Sequence, residues 1–174
     1  MIYRKVKILD LTDAAYIAGL IDGEGTVTLT RRNRYKNRGL VVSISNNEIP
    51  ILKHVQGKIG AGKITGKRVT SERHAPSYTY CITNRQALSL LDQVFRFLKS
   101  HKCARASLAL KEYLRLTPRN GTNTNDQASE RETFVRSFFV IAPAQALKYF
   151  DPLQLKATGA PDKFLFPPVE HPKG

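Results

Sequence analysis

Ala14-Ala-Tyr-Ile-Ala-Gly-Leu-Ile-Asp-Gly-Glu-Gly25 is the stretch from which the fold can be read. Its first ten residues form a helix with almost no polar face, and a helix apolar all round is a buried one. Ala15, Gly19 and Gly23 recur four apart, with Ala14 and Ala18 beside them, so one stripe of the helix is very small. Glycine inside a helix costs about 1 kcal/mol relative to alanine. Close approach of a second helix along the stripe is the natural compensation. The chain's first run of glycines and acids, Asp22-Gly23-Glu24-Gly25, then stops the helix and puts two carboxylates at its end. Read from spacing alone, this is equally a buried core helix with a glycine cap and two solvated acids.

The flanking chain changes period. Thr12 is expected to cap the helix, with Asp13 at its positive end. After Gly25, Thr26-Val-Thr-Leu-Thr-Arg-Arg32 alternates, with Val27 and Leu29 on one side and Thr26, Thr28 and Thr30 on the other. Asn33 to Gly39 is a basic turn, and Leu40-Val-Val-Ser-Ile-Ser45 returns with Ser43 and Ser45 outward, completing a hairpin. Glu48 to Ile59 has helical spacing, with Pro50 in the first turn and Gly60 ending it. A second hairpin is predicted from Gly62 to Val69 and Ser77 to Thr83, with Ile64, Tyr78, Tyr80 and Ile82 inward. Asn84 is expected to cap a helix running from Arg85 to about Ser100. Further helices are expected from Cys103 to Leu116 and from Ser129 to Ile141. The order predicts an α+β fold: helix-strand-strand-helix-strand-strand-helices, an antiparallel four-stranded sheet with helices on one face.

Ile17-Ala-Gly-Leu-Ile-Asp-Gly-Glu-Gly25 resembles the nine-residue signature of the LAGLIDADG homing endonucleases. It departs at the first position, Ile for Leu, and in the acids and small residues near the end. The family's fold has the same order of elements, its sheet forming a saddle over DNA, so the resemblance covers about residues 10–140. It implies that Glu24, at the signature's second-last position, is the metal-binding acid, and that Asp22 is structural. It also implies a polar residue after the second strand that holds the attacking water. Asn46 or Asn47 lies there, and Glu48 in an ungapped alignment. A lysine is implied near the break between the later helices. His101-Lys102-Cys103-Ala104 stands there, without the family's usual Gln, leaving either His101 or Lys102 as the cation.

The chemistry of phosphodiester hydrolysis fits this assignment, because divalent metal held by carboxylates stabilises charge on the attacking and leaving oxygens. Mg²⁺ takes one or two carboxylates with phosphate oxygens and waters; Mn²⁺ or Ca²⁺ is expected to substitute in binding. One Glu24 is too few, with only the backbone carbonyl near Gly23 to add. No second copy of the motif occurs in the chain, and single-motif members of the family dimerise. A twofold axis through Ala15, Ala18, Gly19 and Gly23 is therefore expected to bring two acids together.

Composition agrees. The 174 residues carry 28 Lys+Arg against 14 Asp+Glu, a formal charge of +14, which favours a polyanionic partner. The expected DNA face comprises Thr28, Thr30, Arg31, Arg32, Arg34, Lys36, Arg38, Ser43, Ser45, Lys63, Thr65, Lys67, Arg68, Arg73, Ser77 and Thr79. A two-stranded ribbon fits the major groove, where Arg and Lys read guanine, while loop cations hold phosphates. No apolar run approaches the roughly 20 residues of a membrane span, and no apolar stretch follows the basic N-terminus as in a signal peptide. An intracellular protein with no membrane partner is expected. Cys81 and Cys103 read as reduced and structural, and His54, His74 and His171 show no metal-ligand spacing. One domain is expected over residues 1–150, with a proline-containing tail at 151–174 that is weakly ordered or packed on the surface.

The resemblance thus implies a site-specific double-strand DNA endonuclease: a homodimer cutting a long pseudo-palindromic site with Mg²⁺, encoded by an intron or intein. The alternative is a non-cutting binding module of the same fold, such as an intron maturase, whose partner would include intron RNA. A basic ribosome- or RNA-associated protein is a further alternative, in which the motif helix is accidental.

Overall fold

A computed structural model describes residues 4–31, 37–66, 76–117 and 125–142. In chain order the elements are α1 (Leu11–Glu24), β1 (Gly25–Thr30), β2 (Gly39–Asn46), α2 (Ile49–Ile59), β3 (Lys63–Gly66), β4 (Tyr78–Thr83), α3 (Asn84–Val94), α4 (His101–Leu116) and α5 (Asn125–Val140). A single 3₁₀ turn, Phe95–Phe97, follows α3. The order of helices and strands is the expected one, and the fold is α+β. The four strands form one antiparallel sheet in the order β1-β2-β4-β3.

Alternation sets the two faces of the sheet. Val27, Leu29, Leu40, Val42, Ile44, Tyr80 and Ile82 are buried on the inner face. They pack under Ile17 and Ile21 of α1, Leu52, Val55 and Ile59 of α2, and Leu90 and Leu91 of α3. This single core fixes where α1 ends. The register Gly25↔Ile44 starts β1 directly from the last turn of α1. At Gly25 an added Cβ would lie 2.6 Å from the Ile21 Cα and 2.9 Å from the Ser43 carbonyl oxygen. Only glycine lets the helix turn into the sheet this tightly.

The last two helices begin earlier than the sequence reading has them, at His101 and Asn125, and three further differences have a clear physical cause. Asp10, rather than Thr12, caps α1, accepting from the Asp13 N–H at 2.7 Å and from the Thr12 hydroxyl at 2.6 Å. A carboxylate satisfies the first-turn donors and suits the helix's positive end. Asn84 is the first residue of α3 rather than its cap, with φ 54°. Its side-chain oxygen accepts from the Tyr113 hydroxyl, which in turn accepts from the Leu40 N–H. That chain of bonds ties the β4–α3 junction to β2 and α4. The helix predicted up to Ser100 ends at Val94, and Ser100 caps α4, its hydroxyl accepting from the Lys102 N–H.

β1 is an edge strand, whose free carbonyls invite pairing with another chain. Two guanidiniums occupy them: Arg105 of α4 donates to the Val27 carbonyl at 3.1 Å, and Arg38 to that of Leu29 at 3.3 Å. Arg105 also donates to the Ile141 carbonyl, and Arg131 to those of Leu116 and Arg38. Arginine-to-backbone bonds thus hold α4 and α5 along this edge, with Phe134 and Phe138 buried beneath. Among the described residues no helix is long and apolar enough to cross a membrane. The expected boundary near residue 150 and the tail at 151–174 lie outside the described residues.

Candidate nucleic-acid interface and acidic helix end

The C-terminal end of α1 and the N-terminal end of α4 cap each other. The Asp22 carboxylate accepts from the Lys99 N–H at 2.7 Å, the Ser100 N–H at 3.3 Å and the Ser100 hydroxyl at 2.5 Å. The Ser100 N–H is one of the orphan donors that open α4. In return the Lys102 ammonium donates to the Ile21 carbonyl at 2.9 Å and the Asp22 carbonyl at 2.7 Å, a cation placed on the negative end of α1. Lys102 is only 9% exposed. Burial pushes its ammonium below the ordinary lysine range, Asp22 and Glu24 act upward, and Arg105 acts downward. Asp22 is therefore structural, as expected.

The interlock leaves Glu24 as the exposed last residue of α1. The Gly23 carbonyl is the next in the row beyond the two that Lys102 reaches. Asn46 ends β2 two residues past Ile44, the partner of Gly25, and so lies at this same end of the sheet. Its side-chain oxygen accepts from the Glu48 N–H at 2.7 Å, closing the turn into α2. Asn47 and Glu48 beside it are exposed. His101 opens α4, and burial, with Arg105 and Lys102 beside it, lowers its imidazole pKa although Asp22 acts upward. Of His101 and Lys102, it is the Lys102 ammonium that reaches the carbonyls at the end of α1.

Among the described residues no three of His, Cys, Asp and Glu gather closely enough to hold a metal ion. One protomer thus presents the exposed Glu24 carboxylate with neighbouring carbonyl oxygens, and Glu48 on the turn after β2. This hard-oxygen donor set suits Mg²⁺ or Ca²⁺ but is incomplete alone.

The outer face of the sheet is nearly free of acids. Residues 25–46 contain five cations and no Asp or Glu; residues 60–83 contain four cations and one acid, Glu72. Cross-strand register places Thr26, Ser43, Cys81 and Lys63 in one row across all four strands. Ser45, Thr79 and Thr65 form a second row, in which the Ser45 and Thr79 hydroxyls are 2.9 Å apart. Thr28 is partly buried on this face, Thr30 and Arg31 are exposed at its end, and Ser77 lies just before β4. Arg32, Arg34, Lys36, Lys67, Arg68 and Arg73 lie outside the described residues, as do His74 and His171.

Two expected roles need correction. Arg38 is not a free cation of this face: it donates to the Leu29 carbonyl, and its guanidinium lies 5.0 Å from the centre of the Phe139 ring. Arg38 itself is thereby tied to both β1 and α5. Ala18 is fully buried in the protomer's own core and cannot reach a second subunit. The helical phase explains this, since Ala14, Ile17, Ala18 and Ile21 are the buried side of α1. Ala15, Gly19 and Gly23 are exposed, and a Cβ at either glycine would meet nothing within 4 Å.

Sequence reasoning missed three residues. Tyr16, three before Gly19, shares the exposed face of α1. Arg105 stands one turn beyond Lys102 and holds the β1 edge. Cys81 lies mid-sheet on the outer face, its thiol pushed up by burial and drawn down by Lys63. The alternation Tyr80-Cys81-Ile82 already carried that placement. Both cysteines are free, and Cys103 belongs to the core.

No protein-family model and no curated protein matches the chain. Solved structures do. The homing endonuclease I-CvuI, in complex with its target and 2 mM calcium, superposes with TM-score 0.62 at 17% identity, over 76% of this chain and 85% of that one. The same enzyme with the I-CreI target and 2 mM magnesium, its DNA not cleaved, gives 0.60 at 18% identity, over 86% and 98%. The LAGLIDADG homing endonuclease I-GzeII in complex with its DNA target gives 0.54 at 14% identity, over 72% of this chain but 43% of that one. The architecture is thus an α+β layer whose motif helix feeds directly into an antiparallel sheet. It is the LAGLIDADG homing endonuclease fold.

Proposed function

We propose that this protein is a metal-dependent, site-specific DNA endonuclease of the LAGLIDADG family. It acts inside the cell as a homodimer on a long pseudo-palindromic site. The observation that carries the reading is Glu24, held exposed at the end of α1 by the Asp22–Lys102 interlock, on a helix whose glycine stripe is open. A twofold axis along Gly19 and Gly23 supplies the second carboxylate that one protomer lacks.

Each residue then has a physical task. Glu24 of each subunit, with the Gly23 carbonyl, would hold Mg²⁺. When bound, that ion would stabilise negative charge on the attacking and leaving oxygens of the phosphodiester. Lys102 fixes the end of α1, so Glu24 cannot drift, and places a cation beside the scissile phosphate. His101, pushed toward the neutral form, is assigned no charge-stabilising role. Asn46, anchored through its oxygen to the Glu48 N–H, has its amide nitrogen free to orient a water. Thr26, Thr28, Thr30, Ser43, Ser45, Lys63, Thr65, Ser77 and Thr79 offer short donors and acceptors to base edges. The cations Arg31, Arg32, Arg34, Lys36, Lys67, Arg68 and Arg73 hold phosphates.

The test is incubation with duplex carrying the uninterrupted host locus, in Mg²⁺ or in EDTA, for the parent and Glu24→Gln. The expected result is metal-dependent cutting by the parent alone, with binding retained by both. Calorimetric titration of Ca²⁺ into the protein–DNA complex should show uptake that Glu24→Gln removes. Binding without cutting by the parent would assign the protein to the non-cutting class.

A further inference from the structure

Beside the exposed face of α1 lies a groove of about 470 Å³ between α1 and α2, lined by Thr12, Asp13, Tyr16, Pro50, Ile51 and His54. The Tyr16 and His54 rings form one wall, edge to face with centroids 5.9 Å apart, and Tyr16 is 46% exposed. The same chain exposes two large aliphatic side chains near the start of α1: Leu11 is 61% exposed and Ile8 96%. An open apolar groove and an unburied pair of aliphatic residues on one protomer are the two halves of a self-complementary contact.

Helical phase indicates which halves meet. The buried residues of α1 define its inner side; Thr12, Tyr16, Gly19 and Gly23 lie opposite. Leu11 and Ala15 fall on one flank of that outer face, and Tyr16 with the α2 groove falls on the other. Both acids can reach one duplex only if the two α1 helices run parallel about the twofold axis. In a parallel pair so related, the left flank of each helix meets the right flank of the other. Leu11 of each subunit then stands at about the height of the other's Thr12, on the side where the groove opens, with the backbone of Tyr16 about 7.5 Å further along the axis.

We infer that Leu11 of each subunit, with Ile8 beside it, inserts into the Tyr16–His54 groove of its partner, closing the dimer at the end of α1 remote from Glu24. The inference rests on the homodimer proposed above and adds to it a specific occupant for the groove. Charged groups at the rim do not oppose it: the Asp13 carboxylate is paired with the Lys58 ammonium at 2.8 Å.

The test mixes subunits carrying Leu11→Cys with subunits carrying Ile51→Cys, both in a Cys81→Ser background, under mild oxidation. A covalent dimer is expected from the mixture and from neither variant alone. Leu11→Asp should weaken dimerisation at least tenfold by sedimentation, as loss of a buried leucine on both sides requires. The protomer's circular dichroism should stay unchanged. A dimer that neither cross-links nor weakens would overturn the groove contact while leaving the homodimer standing. A parent protein that sediments as a monomer on DNA would overturn both.

Discussion

Gly19→Leu separates the protomer from the dimer, because the two should respond with opposite signs. Within one chain a Cβ at residue 19 meets nothing within 4 Å, and the position is exposed. Replacing a mid-helix glycine by leucine there should stabilise the isolated subunit by about 0.8 kcal/mol through helix propensity alone. In the proposed dimer the same side chain would enter the closest approach of two helices, once from each subunit. Overpacking costs about 1–3 kcal/mol per site, so association should weaken by about 2–6 kcal/mol, which is roughly 30-fold to more than a thousandfold in Kd. Sedimentation over a concentration series measures the second effect. Denaturant unfolding measures the first, at a dilution where parent and variant are both monomeric, since dimerisation would otherwise enter the stability. A dimer of unchanged affinity would show that this stripe is not the interface. An isolated subunit made less stable would show that Gly19 packs inside its own protomer.

Other consequences are equally direct. Lys102→Met removes two charge-assisted bonds to the Ile21 and Asp22 carbonyls; a loss of about 2–4 kcal/mol in unfolding free energy is expected. Hydrogen exchange should rise first in the last turn of α1. The Asp10 carboxyl, held down to about 2 by the Asp13 N–H and then the Thr12 hydroxyl, has a folded pKa below its unfolded one. Its contribution is therefore complete above about pH 4 and lost as pH falls toward 2. Asp10→Asn should flatten the stability profile across that window. Glu24→Gln should strengthen the metal-free dimer by about 1 kcal/mol, roughly fivefold, by removing repulsion between two solvent-exposed carboxylates. Sedimentation in EDTA reads this, and a weaker dimer would mean that the two acids do not meet.

Much of the architecture was legible because it follows from periodicity. Alternation in Thr26–Thr30 and Leu40–Ser45 gave the inner face of the first hairpin residue by residue, and Gly60 ended α2 where its spacing ended. Asp22 also read correctly, as a helix-end acid. What local pattern could not show were the long-range partners. Asp10 displaced Thr12 as cap because its carboxylate reaches two donors at once. Asn84 gave up capping because Tyr113, 29 residues away, takes its side-chain oxygen. Arg38, in a run of basic residues that looks like a solvated loop, is claimed by a carbonyl on β1 and a ring on α5. Ala18 and Ala15 look alike in sequence, but only the packing of the sheet decides which side of α1 is inner. Nor does local pattern show that the Lys102 ammonium, 81 residues from Ile21, reaches the carbonyls at the end of α1.

The same interlock bears on why a parallel helix pair is tolerable. Two α1 helices running side by side place like dipole ends together, and each ends in a carboxylate. The arrangement is thus repulsive at the end where chemistry is proposed to occur. Each subunit supplies its own partial remedy, since Lys102 sits on the last-turn carbonyls and Asp22 spends its charge on the start of α4. What stays uncompensated is Glu24. A divalent cation between the two copies would neutralise that remaining charge, so the metal proposed for cutting would also hold the duplex-facing end of the proposed dimer together. Metal binding and dimer closure are then linked through one residue, and each should strengthen the other by the same factor.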